Sequence, residues 1–167
     1  ASDYLGEAIG DISEPTAPPA LLRKEFVLGK AVAKARLYAT AHGTFDLMIN
    51  GKRVGSEVLA PGWTPYDVRL QVVTHDVTGL LTEGANAWGV LLADGWYRGH
   101  FGFTNQTGNY GTQTKFLGQL EVEYTDGSSE VIATDSSWLT NTGGVRSASI
   151  YHGSDFDFNF AHQAWCK

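Results

Sequence analysis

Between positions 44 and 54 the chain alternates and then reverses. Phe45, Leu47 and Ile49 take every second place, Asp46, Met48 and Asn50 the places between, and Asn50-Gly51 leads into Lys52-Arg53-Val54. Successive side chains of a strand point to opposite faces, so this pattern buries one face and wets the other. Asn-Gly tolerates positive φ at both central positions of a tight turn, which closes the two runs into a hairpin. A chain organised around such a unit must find other strands to cover the apolar face. Ala33, Ala35, Leu37 and Ala39 repeat the period against Lys34, Arg36, Tyr38 and Thr40. Further strands are predicted over 68–73, 85–92, 116–124 and 129–134, the last two joined by Asp126-Gly127. Residues 77–81 can make one helical turn before Gly84, too short to stand without packing. Many short strands with turn signals between them define a β-sandwich or jelly roll.

Residues 1–20 carry Pro15, Pro18 and Pro19 with little periodicity, and proline lacks the donor that a sheet ladder needs, so they read as an arm or linker. Residues 21–167 read as a single domain, since 167 residues with 43% hydrophobic content supply one core. The net charge of −6 without a Lys/Arg cluster speaks against nucleic acid as a partner. No apolar run has the length of a helical membrane span. Cys166 is the only cysteine, which excludes an internal disulfide and a multi-thiolate metal site. The histidines, His42, His75, His100, His152 and His162, lack zinc-ligand spacing, and neither a Gly-x-Ser-x-Gly elbow nor a phosphate loop occurs.

Trp63, Trp88, Trp96, Trp138 and Trp165, with Tyr66, Tyr97 and Tyr110, exceed what a core of this size requires. An aromatic ring offers an apolar face to the C–H face of a sugar while its polar tip stays wet. Trp88 lies inside an apolar strand and reads as core. Trp63, in Pro61-Gly62-Trp63-Thr64-Pro65-Tyr66, and Trp96-Tyr97, just past a strand end, divide evenly between packing and binding. The long segment 95–114, rich in Gly, Asn, Thr and aromatics, is the first candidate for a binding surface. Asp94 stands at the end of a strand, where a carboxylate can orient a pair of hydroxyls or bind a cation. Asp46, on the wet face of its own strand, can add a second oxygen if the strands are neighbours. Asn50, Asn105 and Asn109 are the amide candidates, since calcium takes six to eight oxygen ligands. Asp155-Phe156-Asp157-Phe158-Asn159 has alternate acidic spacing, but Phe160 and Cys166 fall where a calcium loop needs Gly and Glu, and a strand with its phenylalanines inward explains it equally well. Asn105-Gln106-Thr107 fits the N-glycosylation pattern, and a glycan there would block the proposed surface.

Seven segments occur in one order: Leu22-Arg23-Lys24-Glu25-Phe26, Ala35-Arg36-Leu37-Tyr38-Ala39-Thr40-Ala41, Asn50-Gly51-Lys52-Arg53-Val54-Gly55, Leu59-Ala60-Pro61-Gly62-Trp63-Thr64, Asp76-Val77-Thr78-x-Leu80-Leu81, Gly84-x-Asn86 and Asp94-Gly95-Trp96-Tyr97-Arg98-Gly99. Together they resemble the N-terminal β-sandwich of bacterial α-L-rhamnosidases, over residues 21–151. The resemblance implies an all-β jelly-roll β-sandwich of the galactose-binding-like kind, without the catalytic barrel. It also implies a secreted, non-catalytic, lectin-like module that binds L-rhamnose or a rhamnose-containing polysaccharide through a calcium ion, beside a catalytic domain of the same parent chain. On that reading the sugar contacts are Asp46, Trp63, Asp94, Trp96, Tyr97 and Asn105, and the calcium ligands are Asp46, Asp94, Asn105 and Asn109. A purely structural domain would instead show an exposed apolar patch. An independent glycosidase would place two carboxylates across a deep cleft.

Overall fold

The alternation along β2 (Val32–His42), β3 (Thr44–Ile49), β6 (Gly84–Ala93) and β7 (Lys115–Tyr124) drives the architecture, because each strand sends its apolar set to the same interior. The computed structural model describes residues 17–100, 106–161 and 165–167. Its strands form two antiparallel sheets packed face to face. One has five strands in the order β4 (Lys52–Val54), β3, β6, β1 (Ala20–Leu28), β9 (Leu139–Thr142). The other has four, in the order β5 (Val73–Asp76), β2, β7, β8 (Ser129–Ala133), and β10 (Val145–Ser149) with β11 (Gly153–Phe156) makes a separate hairpin. The chain passes repeatedly between the two sheets, the interleaving of a jelly roll.

Leu37 and Leu120 from one sheet meet Ile49, Trp88 and Val90 from the other, all essentially without exposure. Trp88 reaches across the gap: a Cβ built on Gly118 would lie 2.6 Å from its ring, so only glycine admits the indole there. Phe116 and Trp138 close around it at centroid distances of 6.1 and 4.9 Å. Its Nε1 is buried with no hydrogen-bond partner among the described residues.

The expected hairpin is present, with φ of 51° at Asn50 and 74° at Gly51. Asn50 is consumed by it. Its Nδ2 donates to Leu80 O and Asn86 Oδ1 at 2.9 and 2.8 Å, and its Oδ1 accepts from Ala87 N at 2.8 Å, so it is a structural amide rather than a free ligand.

Three expectations need correction. Ala33 is exposed, because the β2–β7 register slips between Val32 and Lys34 and bulges it out of the inward set. The strand expected over 68–73 begins only at Val73. Val68 N and Arg69 N turn back to Pro65 O, and Thr40 Oγ1 takes Gln71 O, so the preceding segment leaves the ladder with Val68 and Val72 facing solvent. Phe156 and Phe158 are exposed rather than inward, and their rings meet edge-on at 4.8 Å. Residues 77–81 make the expected single turn, a 3-10 turn at Thr78–Leu80.

Trp88→Ala opens a void at the point where the sheets meet and should cost about 3–5 kcal/mol. Gly118→Ala should cost about 1–3 kcal/mol by overpacking the same contact. Urea unfolding of each variant, compared at constant m-value, measures both.

Candidate functional site

At one end of the sandwich β2 stops at His42 and β6 at Ala93, with Thr44 and Ala93 paired in register. The chain then turns into the one-turn helix α1 (Gly95–Arg98). Gly95 makes this turn at φ 54°, and a Cβ there would stand 2.6 Å from Thr44 Cγ2. Glycine thus lets α1 fold back onto the strand end and set Tyr97 against His42. The two rings are stacked, 4.3 Å between centroids with planes 17° apart.

Two loops complete the cluster. Tyr66 meets Tyr97 edge-on at 5.2 Å and Tyr110 at 4.9 Å. Gly108 N donates to Arg98 O at 2.8 Å and Tyr110 N to Tyr97 O at 3.3 Å, fixing the second loop to α1. Trp63 Nε1 donates to the Tyr110 hydroxyl at 3.1 Å. Tyr66 and Tyr97 are buried, Tyr110 is half-buried, and Trp63 is 52% exposed. The result is a fixed aromatic base with Trp63 and Tyr110 as its rim.

The cluster is uncharged near neutral pH. Burial pushes the Tyr66 phenol up to about 12, with Tyr110 adding to it, and burial also raises Tyr97. Burial, then the charge of Lys115, lowers His42 below its ordinary value and leaves the imidazole neutral. Such a surface suits a neutral ligand that is apolar on one face.

The carboxylates lie elsewhere in function. Asp94 and Arg98 are buried together, with Arg98 Nε 2.8 Å and Nη2 2.5 Å from Asp94 Oδ1. Burial raises Asp94, and Arg98 opposes that rise. Asp46 pairs in register with Leu91 and is bound at 2.6 Å by Arg53 Nη2, which also reaches Glu57 O at 2.7 Å. Asn109 is exposed and Asn105 lies outside the described residues. Among the described residues, no group of three or more His, Cys, Asp or Glu side chains is placed to hold a metal. As placed, Asp46, Asp94 and Asn109 do not fit a calcium ion. Each carboxylate is already neutralised, and a cation at Asp94 would face the Arg98 guanidinium.

Of the predicted residues, the structure therefore joins Trp63 and Tyr97 in one cluster and sets Trp96 beside them, half-buried on α1. It separates the two aspartates into independent ion pairs. His42, which lacks metal-ligand spacing, has no sequence signal for membership of an aromatic cluster; the glycine turn at 95 is what stacks the Tyr97 ring on it.

Two antiparallel sheets with interleaved connections and rings gathered at one loop end define an all-β sandwich domain of the jelly-roll class. The sequence model of the alpha-L-rhamnosidase N-terminal domain matches residues 30–167, and the chain belongs to that family. It is 40% identical over 151 residues to an α-L-rhamnosidase of Alteromonas sp. (strain LOR), covering 89% of this chain and 16% of that protein. The Streptomyces avermitilis α-L-rhamnosidase, solved in complex with L-rhamnose, superposes with a TM-score of 0.84 at 43% identity, over 87% of this chain and 14% of that one. The Aspergillus terreus enzyme superposes at 0.88 with 38% identity, over 96% and 18%. The chain thus spans less than a fifth of the length of these relatives.

Arg98→Met strands Asp94 as a buried, uncompensated carboxylate and should destabilise the fold by about 3–5 kcal/mol at pH 7. Without Arg98 the folded-state pKa rises further above the unfolded value. The folded form then holds the proton more tightly, so stability is greatest below the unfolded pKa and is lost as pH rises through the folded one. The deficit of the variant against the parent chain should accordingly shrink on acidification from pH 7 to pH 4, as measured by urea unfolding at both values.

Proposed function

We propose that this domain is a carbohydrate-binding accessory unit of an α-L-rhamnosidase, taking L-rhamnose or a rhamnose-bearing oligosaccharide against the Trp63–Tyr110 rim. The observation that carries this reading is the convergence of His42, Trp63, Tyr66, Tyr97 and Tyr110 from four separate segments into one neutral aromatic surface with a half-exposed edge. A 6-deoxy sugar adds a methyl group to its C–H face and so matches ring surface better than a fully hydroxylated hexose does. The relative from Streptomyces avermitilis was crystallised with L-rhamnose, which supports the choice of sugar. Tethering such a unit to a catalytic domain raises the local concentration of substrate without new catalytic groups. Polysaccharide of this kind lies outside cells, so the reading goes with a secreted parent enzyme. The binding runs through rings and hydroxyl contacts rather than through calcium.

A second reading has its own support. Val58, Leu59, Val68 and Val72 are exposed in the segment that carries Trp63, Val68 at 81%. Exposed apolar side chains grouped in this way mark a contact surface, here toward the remaining domains of the parent chain.

Calorimetric titration of L-rhamnose into the chain, with calcium and with chelator, should give the same affinity in both. Trp63→Ala should weaken it at least tenfold, about 1.4 kcal/mol. Heat that disappears with chelator would restore the calcium site. Absence of heat under both conditions would leave the docking role, for which Val68→Ser with Val72→Ser should reduce self-association in sedimentation velocity.

A further inference from the structure

The two outer faces of the sandwich differ in kind. On the five-stranded sheet, Trp165 and Cys166 lie over β6. A Cβ on Gly89 would be 2.6 Å from both the Cys166 sulfur and the Trp165 ring, and Cys166 Sγ sits 3.6 Å from Met48 O. The chain covers part of that face and leaves beside Trp165 and Cys166 a mainly apolar groove of about 370 Å³, lined by Leu21, Met48, Leu91 and Phe156 among others. The outer face of the four-stranded sheet carries a cleft of about 350 Å³, lined chiefly by Lys34, Arg36, Tyr38, Glu121, Glu123 and Val131.

Register orders these side chains. Lys34 stands opposite Glu123 and then Ser129; Arg36 opposite Glu121 and then Val131; Tyr38 opposite Gln119 and then Ala133. Facing residues of an antiparallel pair have Cβ atoms about 4.5–5.5 Å apart, close enough for opposite charges to join. They do not join: among the described residues no ion pair engages Lys34 or Arg36, and Glu121 accepts instead from Gln119 Nε2 at 2.8 Å. The cleft therefore has a wall of donors on β2 facing a wall of carboxylate acceptors on β7. The Tyr38 ring and Val131 supply apolar surface within the cleft.

We propose that this cleft is a second saccharide site, separate from the Trp63 rim, for a neutral oligosaccharide. Vicinal hydroxyls donate and accept at once, so a sugar bridging the walls satisfies carboxylates and cations together, which neither an apolar ligand nor a simple ion does. The volume is at the small end of the usual range for small-molecule sites, enough for one or two sugar residues in contact. With Glu121 and Glu123 across from the two cations on one side and Asp76 opposite Arg36 on the other, carboxylates outnumber cations on this face, which selects against uronates.

The test uses the whole chain carrying Trp63→Ala, so that the rim does not contribute, in ¹⁵N–¹H titrations with cellotetraose, xylotetraose and a neutral rhamnose tetrasaccharide, and with tetragalacturonate as the anionic control. At least one neutral tetrasaccharide should shift the amides of residues 34, 36, 38, 121 and 123, and adding Arg36→Ala with Glu121→Ala should weaken that binding at least tenfold. An unchanged urea midpoint separates this loss from unfolding. No shift with any neutral probe, shifts indifferent to the double substitution, or tetragalacturonate binding as well as the neutral probes would each overturn the proposal, whatever the outcome at Trp63.

Discussion

The packing of Trp88 onto Gly118 fixes the distance between the two sheets, and most of the structure follows from it. The largest side chain in the sequence meets the smallest across the interior, with Leu37, Leu120 and Val90 filling the space around them. Interiors pack at crystal-like density, so neither partner can change size alone. The register of β6 against β3 then follows, because Trp88 sits opposite Ile49 and its whole inward set must keep the same parity. That register in turn brings Ala93 level with Thr44 and decides where Asp94 and α1 begin.

From this point the aromatic end is built by local means. Gly95 turns the chain back over Thr44, Asp94 and Arg98 form a buried pair inside the turn, and two backbone hydrogen bonds tie the 106–114 loop to α1. The ion pair is structural in its consequences. It occupies the one buried carboxylate near the rings and leaves their surface neutral. A ligand at this end would meet ring faces, and the Asp-Gly-Trp-Tyr-Arg run is read best as a device for holding Tyr97.

The strands with strong alternation were legible in the sequence because period two and Asn-Gly act over a few residues. β9, β10 and β11 were not, since Leu139 and Phe156 are exposed and their neighbours are polar, so no apolar period marks them. The apparent strand at 68–73 shows the opposite failure: Val68, Leu70 and Val72 alternate but face solvent, because pairing starts only at Val73. Of the site, the aromatic residues could be nominated by composition and position. Their convergence, the divergence of Asp46 from Asp94, and the structural use of Asn50 depend on strand order and side-chain pairing, which a linear pattern does not contain.

The distribution of polarity over the surface gives the domain distinct sides. The five-stranded face carries the Arg23–Glu25 and Asp46–Arg53 ion pairs beside an apolar groove against Trp165 and Cys166, the loop end combines rings with exposed valines, and the four-stranded face carries charges in ordered rows. Covering the last face with an apolar surface would desolvate Lys34, Arg36, Glu121 and Glu123 without new partners, a cost of several kcal/mol per unpaired ion. The apolar 58–72 segment carries no such penalty and gains from burial. A neighbouring domain would therefore be accommodated at lower cost on the valine side, and the charged face is the one better left in water.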